Sequence, residues 1–268
     1  MKRRALITGI TGQLGSYLAE LLLEKEYEVF GLVRRVSQDR MDRIRHLEGR
    51  IKLLSGDMTD QPSLERALLD SKPHEVFNCS AQSQVATSFI EPLHTSDVTG
   101  LGALRLFEAV RMKTPMSEHI RIYHSSSSEM FGNAPAPQDE QTPFHPQSPY
   151  ACAKTFAHYC AQVYRRAYGV YIACGINFNF EGERRSPEFV TRKITQGIGR
   201  IVRGEATELR LGNLEARRDW SHAEDMARAA WLMLQQPEPD DYVIASGESH
   251  SIQEFVDLAF ETAGLKAS

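Results

Sequence analysis

Residues 8–22 read "TGITGQLGSYLAELL" and place Gly9, Gly12 and Gly15 between a short apolar run and a helical pattern. The run before them, residues 4–9, predicts a strand. Glycines at such a strand-to-helix turn let the backbone approach a pyrophosphate, whose charge the helix N-terminus stabilises. The spacing is GxxGxxG rather than GxGxxG, and a plain glycine-rich turn is the alternative. The position directly after a first strand favours a dinucleotide site.

Outward from this stretch, apolar runs and helical patterns alternate along the chain. Such alternation implies a parallel sheet covered by helices on both faces. The predicted fold is α/β, a Rossmann-like doubly wound parallel sheet with a smaller C-terminal α/β substrate lobe. Residues 1–178 are expected to form the nucleotide-binding domain and residues 179–268 mainly the substrate lobe, interleaved with the last helix and strand of the sheet. Further strands are predicted at residues 28–33, 51–57, 75–80, 120–126 and 170–178.

The composition is that of an ordinary globular protein. The 268 residues are 41% hydrophobic and 25% charged, and the net charge is -4, so nucleic acid is not an expected partner. The sequence contains no apolar stretch near the roughly 20 residues of a membrane span, so no membrane association is expected. The N-terminus is expected to be a first strand rather than a signal peptide. The four cysteines show no metal-ligand spacing and indicate reduced thiols of a cytoplasmic protein, with no metal: Cys79, Cys152, Cys160 and Cys174.

The end of the second predicted strand bears on which dinucleotide binds. Arg34 and Arg35 stand where a site specific for NAD usually has an acidic residue, and arginine accommodates a 2′-phosphate. NADP is therefore the predicted cofactor, and a solvated basic loop is the alternative. Asp57, at the end of the third strand, is placed either to accept a hydrogen bond from the adenine amine or to form a turn.

A chemical group is predicted from two separate motifs. Tyr150 and Lys154 are four residues apart, which on a helix brings both side chains to one face. An ammonium beside a phenol lowers the pKa of the phenol, so that a phenolate can take a proton from an alcohol. The stretch "HSSSSEMFG", residues 124–132, adds Ser127, whose hydroxyl could orient the same substrate oxygen, and the carboxylate of Glu129.

These residues resemble the extended short-chain dehydrogenase/reductases that act on nucleotide sugars. Longer strings are similar to the GDP-mannose 4,6-dehydratase family, and the resemblance covers essentially the whole chain. The strings are "TGITGQLGSYLAELLLEKEYEVFGLVRR", "SSSSEMFG", "SPYACAK", "FVTRKI", "GNLEARRDW" and "PDDYVIASGESHSIQEFVDLAF".

The resemblance implies a hydro-lyase that converts GDP-mannose to GDP-4-keto-6-deoxymannose and water by internal hydride transfer through bound NADP. Tyr150 would remove the proton of the sugar 4-hydroxyl, and Glu129 would remove the C5 proton and help to expel the C6 hydroxyl. Implied cofactor contacts are Gly9, Thr11, Gly12, Gln13, Leu14, Gly15, Arg34, Arg35, Asp57, Met58, Ser80, Ala81, Tyr150 and Lys154. Implied substrate contacts are Ser83, Ser128, Asn179, Val190, Lys193, Leu211, Gly212 and Arg218.

The chain departs from the family pattern at a few positions. Gln84 and Phe180 replace histidines, Ser127 stands where threonine is frequent, and the string ends at Ser268, so the C-terminal part of the second lobe is expected to be missing. An NADP-dependent reductase or epimerase of a nucleotide 4-keto sugar and a non-catalytic nucleotide-binding homologue remain alternatives. The arginine-rich segment 34–50 resembles the loop through which family members reach a neighbouring subunit, which favours a homo-tetramer over a dimer.

Overall fold

The computed structural model describes residues 2–35, 41–113 and 120–265, which divide into two compact units. The first unit comprises Met1–Asn177 and Glu224–Ile244, and the second comprises Phe178–Ala223 and Ala245–Ser268. The boundary predicted from sequence, between residues 178 and 179, lies beside the first crossing between the units. Residues 224–244 belong to the first unit because their strand pairs with its sheet.

Among the described residues, the first unit contains a seven-stranded sheet in the order β3-β2-β1-β4-β5-β6-β9. Every neighbouring pair in it is parallel. The prediction of a Rossmann-like parallel α/β fold is therefore confirmed. The strands are β1 (Arg4–Thr8), β2 (Glu28–Val33), β3 (Lys52–Ser55), β4 (Glu75–Asn78), β5 (Arg121–Ser127), β6 (Ile172–Asn177) and β9 (Asp241–Ile244).

The helices of the first unit follow the strands along the chain. They are α1 (Gln13–Glu24), α2 (Gln61–Ser71), α3 (Val85–Ile90), α4 (Pro92–Thr95), α5 (Gly102–Arg111), α6 (Pro149–Tyr168) and α8 (Ala223–Met233). A turn of π-helix, Ser96–Leu101, leads into α5, and a 3₁₀ turn, Ser128–Met130, follows β5. None of the described helices combines the length and apolar character needed to cross a bilayer.

The central strands are buried on both faces, as a sheet covered by helices requires. β4 and β6 are buried throughout, and apolar side chains of α2, α5 and α6 pack with them in one core. The parallel register pairs Thr8 with Asn78 and Asn78 with His124. The carboxyl ends of β1, β4 and β5 therefore meet at one edge of the sheet, where sequence reasoning placed the glycine loop and the serines.

The second unit has a three-stranded sheet among its described residues, in the order β10-β8-β7. These strands are β7 (Asn179–Glu181), β8 (Arg217–His222) and β10 (Ser249–Ser251), and the helices are α7 (Val190–Val202) and α9 (Ile252–Thr262). Ile194 and Ile198 of α7 pack against Ile252 and Val256 of α9 to form the core of this unit. Ser251 begins α9 with a capping box, in which its hydroxyl accepts from the Glu254 amide.

Candidate active site

The glycine loop connects β1 to α1 through a tight turn. Gly9 has a φ of 69°, in the left-handed region, and the Gly12 amide donates to its carbonyl oxygen at 2.9 Å. A Cβ at Gly15 would lie 2.3 Å from the same oxygen, so the helix can pack this close to the loop only without a side chain there. The loop therefore presents the first-turn amides of α1 at the carboxyl edge of the sheet. That arrangement fits a dinucleotide pyrophosphate.

One arginine contacts this loop, and two more follow β2. Arg34 and Arg35 follow directly after the last residue of β2 and are exposed. Arg43 donates from Nη1 to the Thr11 carbonyl oxygen at 3.2 Å, which places its guanidinium at the glycine loop. Sequence reasoning did not single out Arg43, although it belongs to the basic run 34–50. Residues 36–40 of that run lie outside the described residues.

Asp57 forms a turn. Its Oδ1 accepts from the Thr59 amide and from the Thr59 hydroxyl, both at 2.8 Å, directly after β3. The turn, one of the two predicted roles, is thus present, and the contact with adenine stays a prediction. Met58 is buried beside it, while Ser80 and Ala81 follow β4 at the same edge and are half-buried.

The predicted proximity of Tyr150 and Lys154 matches their place on α6, where both are buried. Lys154 donates from Nζ to the Ser125 carbonyl oxygen at 2.5 Å, and Nζ lies 5.8 Å from the centroid of the Tyr150 ring. Burial lowers the pKa of Lys154 to about 8. The ammonium is therefore held between the end of β5 and the phenol, and it is charged at neutral pH.

Consecutive serines of β5 have different partners. The Ser125 hydroxyl accepts from Asn177 Nδ2 at 3.0 Å, and Ser126 Oγ lies 2.9 Å from His158 Nδ1. Ser127 Oγ accepts from the Glu129 amide at 3.2 Å. Because that bond uses Ser127 Oγ as an acceptor, its O–H can still donate to a substrate oxygen.

Glu129 lies in the 3₁₀ turn that follows β5, and α6 packs against this turn. The hydrogen bond from its backbone amide to Ser127 Oγ holds Glu129 close to the candidate hydroxyl. The His145 amide donates to the Met130 carbonyl oxygen at 2.9 Å, which ties the loop before α6 to the same turn. The first unit therefore carries Ser127, Glu129, Tyr150 and Lys154 on three elements that pack together, namely β5, the 3₁₀ turn after it and α6.

A buried polar chain supports this edge from below. Thr8 Oγ1 donates to Asn78 Oδ1 at 2.7 Å, and Asn78 Nδ2 donates to His124 Nδ1 at 3.1 Å. Burial, with the charge of Lys154 nearby, lowers the pKa of His124 well below its ordinary value. His124 is therefore neutral, and the chain joins β1, β4 and β5 without adding a charge.

The predicted substrate residues fall in both units. Ser83 is exposed and Ser128 half-buried in the first unit. Gln84, one of the departures from the family pattern, accepts at its side-chain oxygen from the Thr87 hydroxyl at the start of α3. Asn179 begins β7, Val190 begins α7, and Lys193 and Arg218 are exposed. The other predicted residues of the second unit, in the loop before β8, are Leu211 and Gly212.

Phe180 lies in β7, where its ring centroid is 5.7 Å from the Arg185 guanidinium carbon. That guanidinium also pairs with Glu181, with Nε 3.2 Å from Oε2. Glu181 accepts from the Thr191 hydroxyl at 2.5 Å, and burial raises the pKa of its carboxyl. The second departure from the family pattern thus packs beside the Glu181–Arg185 ion pair, and Glu181 also links β7 to α7 through its hydrogen bond with Thr191.

Comparison with known proteins places this geometry in context. The sequence model described as GDP-mannose 4,6 dehydratase matches residues 6–268. GDP-mannose 4,6 dehydratase 1 of Arabidopsis thaliana is 52% identical over 273 residues, covering 98% of this chain and 76% of the relative. A GDP-mannose 4,6-dehydratase of Vibrio cholerae serotype O1 is 48% identical over 273 residues, covering 99% and 73%.

A solved structure shows the same fold at lower sequence identity. The UDP-glucose 4-epimerase of Thermus thermophilus, solved in complex with NAD, superposes with a TM-score of 0.85 at 27% identity. The match covers 98% of this chain and 84% of that chain. The fold of both units is therefore shared with a protein that binds a nicotinamide dinucleotide.

Proposed function

The chain belongs to the GDP-mannose 4,6-dehydratase family, and on that premise we propose that it converts GDP-mannose to GDP-4-keto-6-deoxymannose and water. The observation that carries this proposal is the placement of Glu129. An epimerase or a reductase needs the tyrosine, the lysine and a hydroxyl, whereas elimination also needs a base for the C5 proton. The turn after β5 supplies such a carboxylate, tied through its amide to Ser127.

We propose NADP as the cofactor. Its pyrophosphate would lie on the glycine loop, and its 2′-phosphate would accept hydrogen bonds from Arg34 and Arg35, with Arg43 nearby. Lys154, buried next to β5, would face its ribose. When bound, NADP would supply reversible hydride transfer with the sugar, so that no cofactor would be consumed overall.

The residues of the first unit divide the proton transfers between them. Tyr150 takes the proton of the 4-hydroxyl, while the Lys154 ammonium favours the phenolate and Ser127 donates to the same sugar oxygen. The resulting C4 ketone makes the C5 hydrogen acidic. Glu129 takes that proton as a carboxylate and, now a carboxylic acid, gives it to the C6 hydroxyl, which leaves as water. When the hydride returns to C6, C5 takes a proton from solvent by way of Glu129, and Tyr150 releases to solvent the proton that it took from the 4-hydroxyl, so that both groups end as they began.

The second unit is proposed to hold the nucleotide sugar. Lys193 and Arg218 are exposed cations of α7 and β8, suited to a diphosphate. Asn179 and Val190 begin the neighbouring β7 and α7 and would line the same ligand, together with Leu211 and Gly212. These assignments come from the family resemblance. The cytoplasmic location, expected from the cysteines, stays a prediction.

We propose that the protein is a homo-oligomer. Large apolar side chains are exposed on α3 and α4, where Ile90 is 80% and Leu93 85% exposed. Phe156 and Tyr159 of α6 extend the same character over a neighbouring helix. An apolar surface of this kind is typical of subunit interfaces. A tetramer, rather than a dimer, would involve the basic segment 34–50.

The experiment is incubation of the protein with GDP-mannose and NADP, followed by mass spectrometry of the sugar nucleotide. The proposal expects a product lighter by one water, without stoichiometric consumption of NADPH. A product of unchanged mass would indicate an epimerase, and a product formed only as NADPH is consumed would indicate a reductase. Binding of NADP without any product would favour the non-catalytic homologue.

A further inference from the structure

A second buried polar chain crosses the first unit directly below the candidate catalytic groups. Asp241 at the start of β9 lies 3.4 Å from His158 on α6, measured from Oδ2 to Nε2. His158 Nδ1 in turn lies 2.9 Å from Ser126 Oγ on β5. His158 and Ser126 are almost fully buried. These polar contacts therefore link β9, α6 and β5 through the imidazole of His158.

The charges around Asp241 determine how the imidazole is held. Burial would raise the pKa of Asp241, but the hydrogen bond from His158, with Arg165 and Gln162, brings it well below its ordinary value. Arg165 Nη2 lies 2.6 Å from Oδ1, and Gln162 Nε2 donates to Oδ2 at 2.8 Å. An ionised Asp241 beside Nε2 favours the tautomer that carries Nε2–H, and in that tautomer Nδ1 accepts from the Ser126 hydroxyl.

Ser126 stands between two residues that the proposed reaction uses. The carbonyl of Ser125 accepts from the Lys154 ammonium, and the hydroxyl of Ser127 is the candidate donor to the sugar. His158 is one helical turn beyond Lys154 on the same face of α6. The bond from His158 to Ser126 is therefore a brace between the strand and the helix that carry the candidate catalytic side chains.

The loop before α6 encloses this brace. Phe144 meets the His158 ring edge to face, with centroids 5.1 Å apart. Farther along, the Glu140 side chain accepts from the Val243 amide at 2.8 Å, two residues after Asp241. These contacts keep water from the imidazole and fix β9 to the loop. An internal hydrogen bond that is shielded in this way has a single geometry.

A metal site is the competing interpretation of the same cluster. Ligand atoms of His158, Asp241 and Cys174 all lie within 4.8 Å of one another. The Arg165 guanidinium already neutralises Asp241 at 2.6 Å, however, and burial raises the pKa of the Cys174 thiol well above its ordinary value. A metal needs the thiolate, which this environment disfavours. The direct contacts therefore favour a hydrogen-bonded brace.

We propose that His158, oriented by Asp241, is a positioning residue that sets Ser127 of β5 against Tyr150 and Lys154 of α6 by way of Ser126. The proposal deepens the proposed function and rests on it for its kinetic readout. A brace of this kind aligns the catalytic side chains with the bound substrate, so its loss should lower kcat and leave the affinity for the substrate nearly unchanged.

The kinetic experiment compares His158→Phe, Ser126→Ala and the double variant with Tyr27→Phe. Tyr27 donates to the buried Glu75 at 3.1 Å near the amino ends of the strands, so its variant loses a buried hydrogen bond far from the catalytic groups. We expect kcat for GDP-mannose to fall roughly tenfold to a hundredfold in each brace variant. KM should stay within about twofold, and the double variant should be no slower than His158→Phe alone.

His158→Asn should recover part of the loss, because its amide oxygen can take the place of Nδ1. A kcat equal to that of Tyr27→Phe in all brace variants, or additive losses in the double variant, would overturn the proposal. If His158→Phe does not fold, Ser126→Ala, which removes one buried atom, carries the kinetic test.

A second readout does not depend on turnover. Hydrogen–deuterium exchange followed by mass spectrometry should show faster exchange in the peptide spanning residues 125–130 in the brace variants and not in Tyr27→Phe. Unchanged exchange there would overturn the proposal even if the wild type proves inactive on GDP-mannose, an outcome that by itself refutes only the proposed function. Stoichiometric zinc in the purified wild type, lost in His158→Phe, would replace the brace by a metal site.

Discussion

Ser125, Ser126 and Ser127 follow one another along β5, and each hydroxyl meets a different partner because successive side chains of a strand point to opposite faces. Ser126 turns inward to His158, whereas Ser127 turns toward the edge where the strand ends. Small residues here also let the Lys154 ammonium reach the Ser125 carbonyl. At the residue scale, then, Ser127 keeps a hydroxyl for the proposed reaction, while the hydroxyls of Ser125 and Ser126 contact Asn177 and His158 within the protein.

Glu129 is expected to serve elimination and not oxidation. Glu129→Gln keeps the size of the side chain and removes the base, for which a loss of roughly 10²–10⁴-fold in turnover is typical. The variant should still form NADPH and a 4-keto hexose on the protein, which the absorbance of the reduced nicotinamide reports. It should exchange almost no C5 hydrogen with D2O. Full C5 exchange in Glu129→Gln would assign the base to another group.

Lys154 is expected to set the alkaline limit of activity. Its pKa is lowered from 10.5 to about 8 by burial, so the ammonium loses its proton as pH rises through 8. If that charge favours the Tyr150 phenolate, kcat should fall above about pH 8. Lys154→Arg keeps its charge in this range and should show residual activity without that falling limb. Lys52→Arg, at an exposed lysine, should retain the wild-type pH profile. If kcat of Lys154→Arg still falls above about pH 8, the alkaline limit belongs to another group.

The preference for NADP is expected to depend on the two arginines after β2. Replacing Arg34 and Arg35 by Ala should weaken NADP binding far more than NAD binding, because only NADP loses charge-assisted bonds worth about 1.5–3 kcal/mol each. Calorimetric titration of each dinucleotide measures this difference. Arg50→Ala, at another exposed arginine of the basic run, should change neither affinity. An equal loss of affinity for NADP and NAD would mean that Arg34 and Arg35 stabilise the loop or the subunit assembly and do not recognise the 2′-phosphate.

At the scale of elements, sequence periodicity was sufficient wherever a motif is local. The strand, glycine loop and helix from Arg4 to Glu24 follow one another in sequence, and Tyr150 and Lys154 share a face because a helix repeats every 3.6 residues. Arg43 and His158 were not predicted, because their partners are distant in sequence. The contact of Arg43 with Thr11 depends on how the chain returns after β2, and that of His158 depends on the register of β9.

The packing of α1 against its loop gives a prediction at this scale. Gly15→Ala would place a Cβ 2.3 Å from the Gly9 carbonyl oxygen, so α1 must move away from the loop. Such overpacking costs about 1–3 kcal/mol of unfolding free energy, and the displaced amides should bind NADP at least roughly tenfold more weakly. Thermal unfolding and dinucleotide titration measure both effects.

Gly199→Ala in α7 is the matched control, since a Cβ there meets only the end of the Arg203 side chain at 3.4 Å. It should be neutral or stabilising, because alanine favours a helix over glycine by up to about 1 kcal/mol. Wild-type affinity for NADP in Gly15→Ala would contradict a role of this packing in binding.

For the whole molecule, the two units differ in how far the sequence could predict them. The first unit consists of apolar strands separated by amphipathic helices, a pattern that specifies a parallel sheet. The strands of the second unit are short and polar, such as "RRDWSH" in β8 and "SHS" in β10. Segments of this kind have no clear period, and their sheet depends on pairing between residues far apart in sequence. The sequence therefore predicted a loop-rich lobe there.

The exposed apolar surface of the first unit predicts that copies of the chain associate through it. Leu93 of α4 is 85% exposed and Phe156 of α6 is 42% exposed, so Leu93→Glu with Phe156→Glu should disrupt an apolar interface between copies of the chain. Multi-angle light scattering should report the mass of an oligomer for the wild type and of one chain for this double variant. Leu258→Glu, at a leucine of α9 that is 62% exposed, should keep the wild-type mass. A wild type that elutes as one chain, or a double variant with unchanged mass, would place the interface elsewhere or remove it.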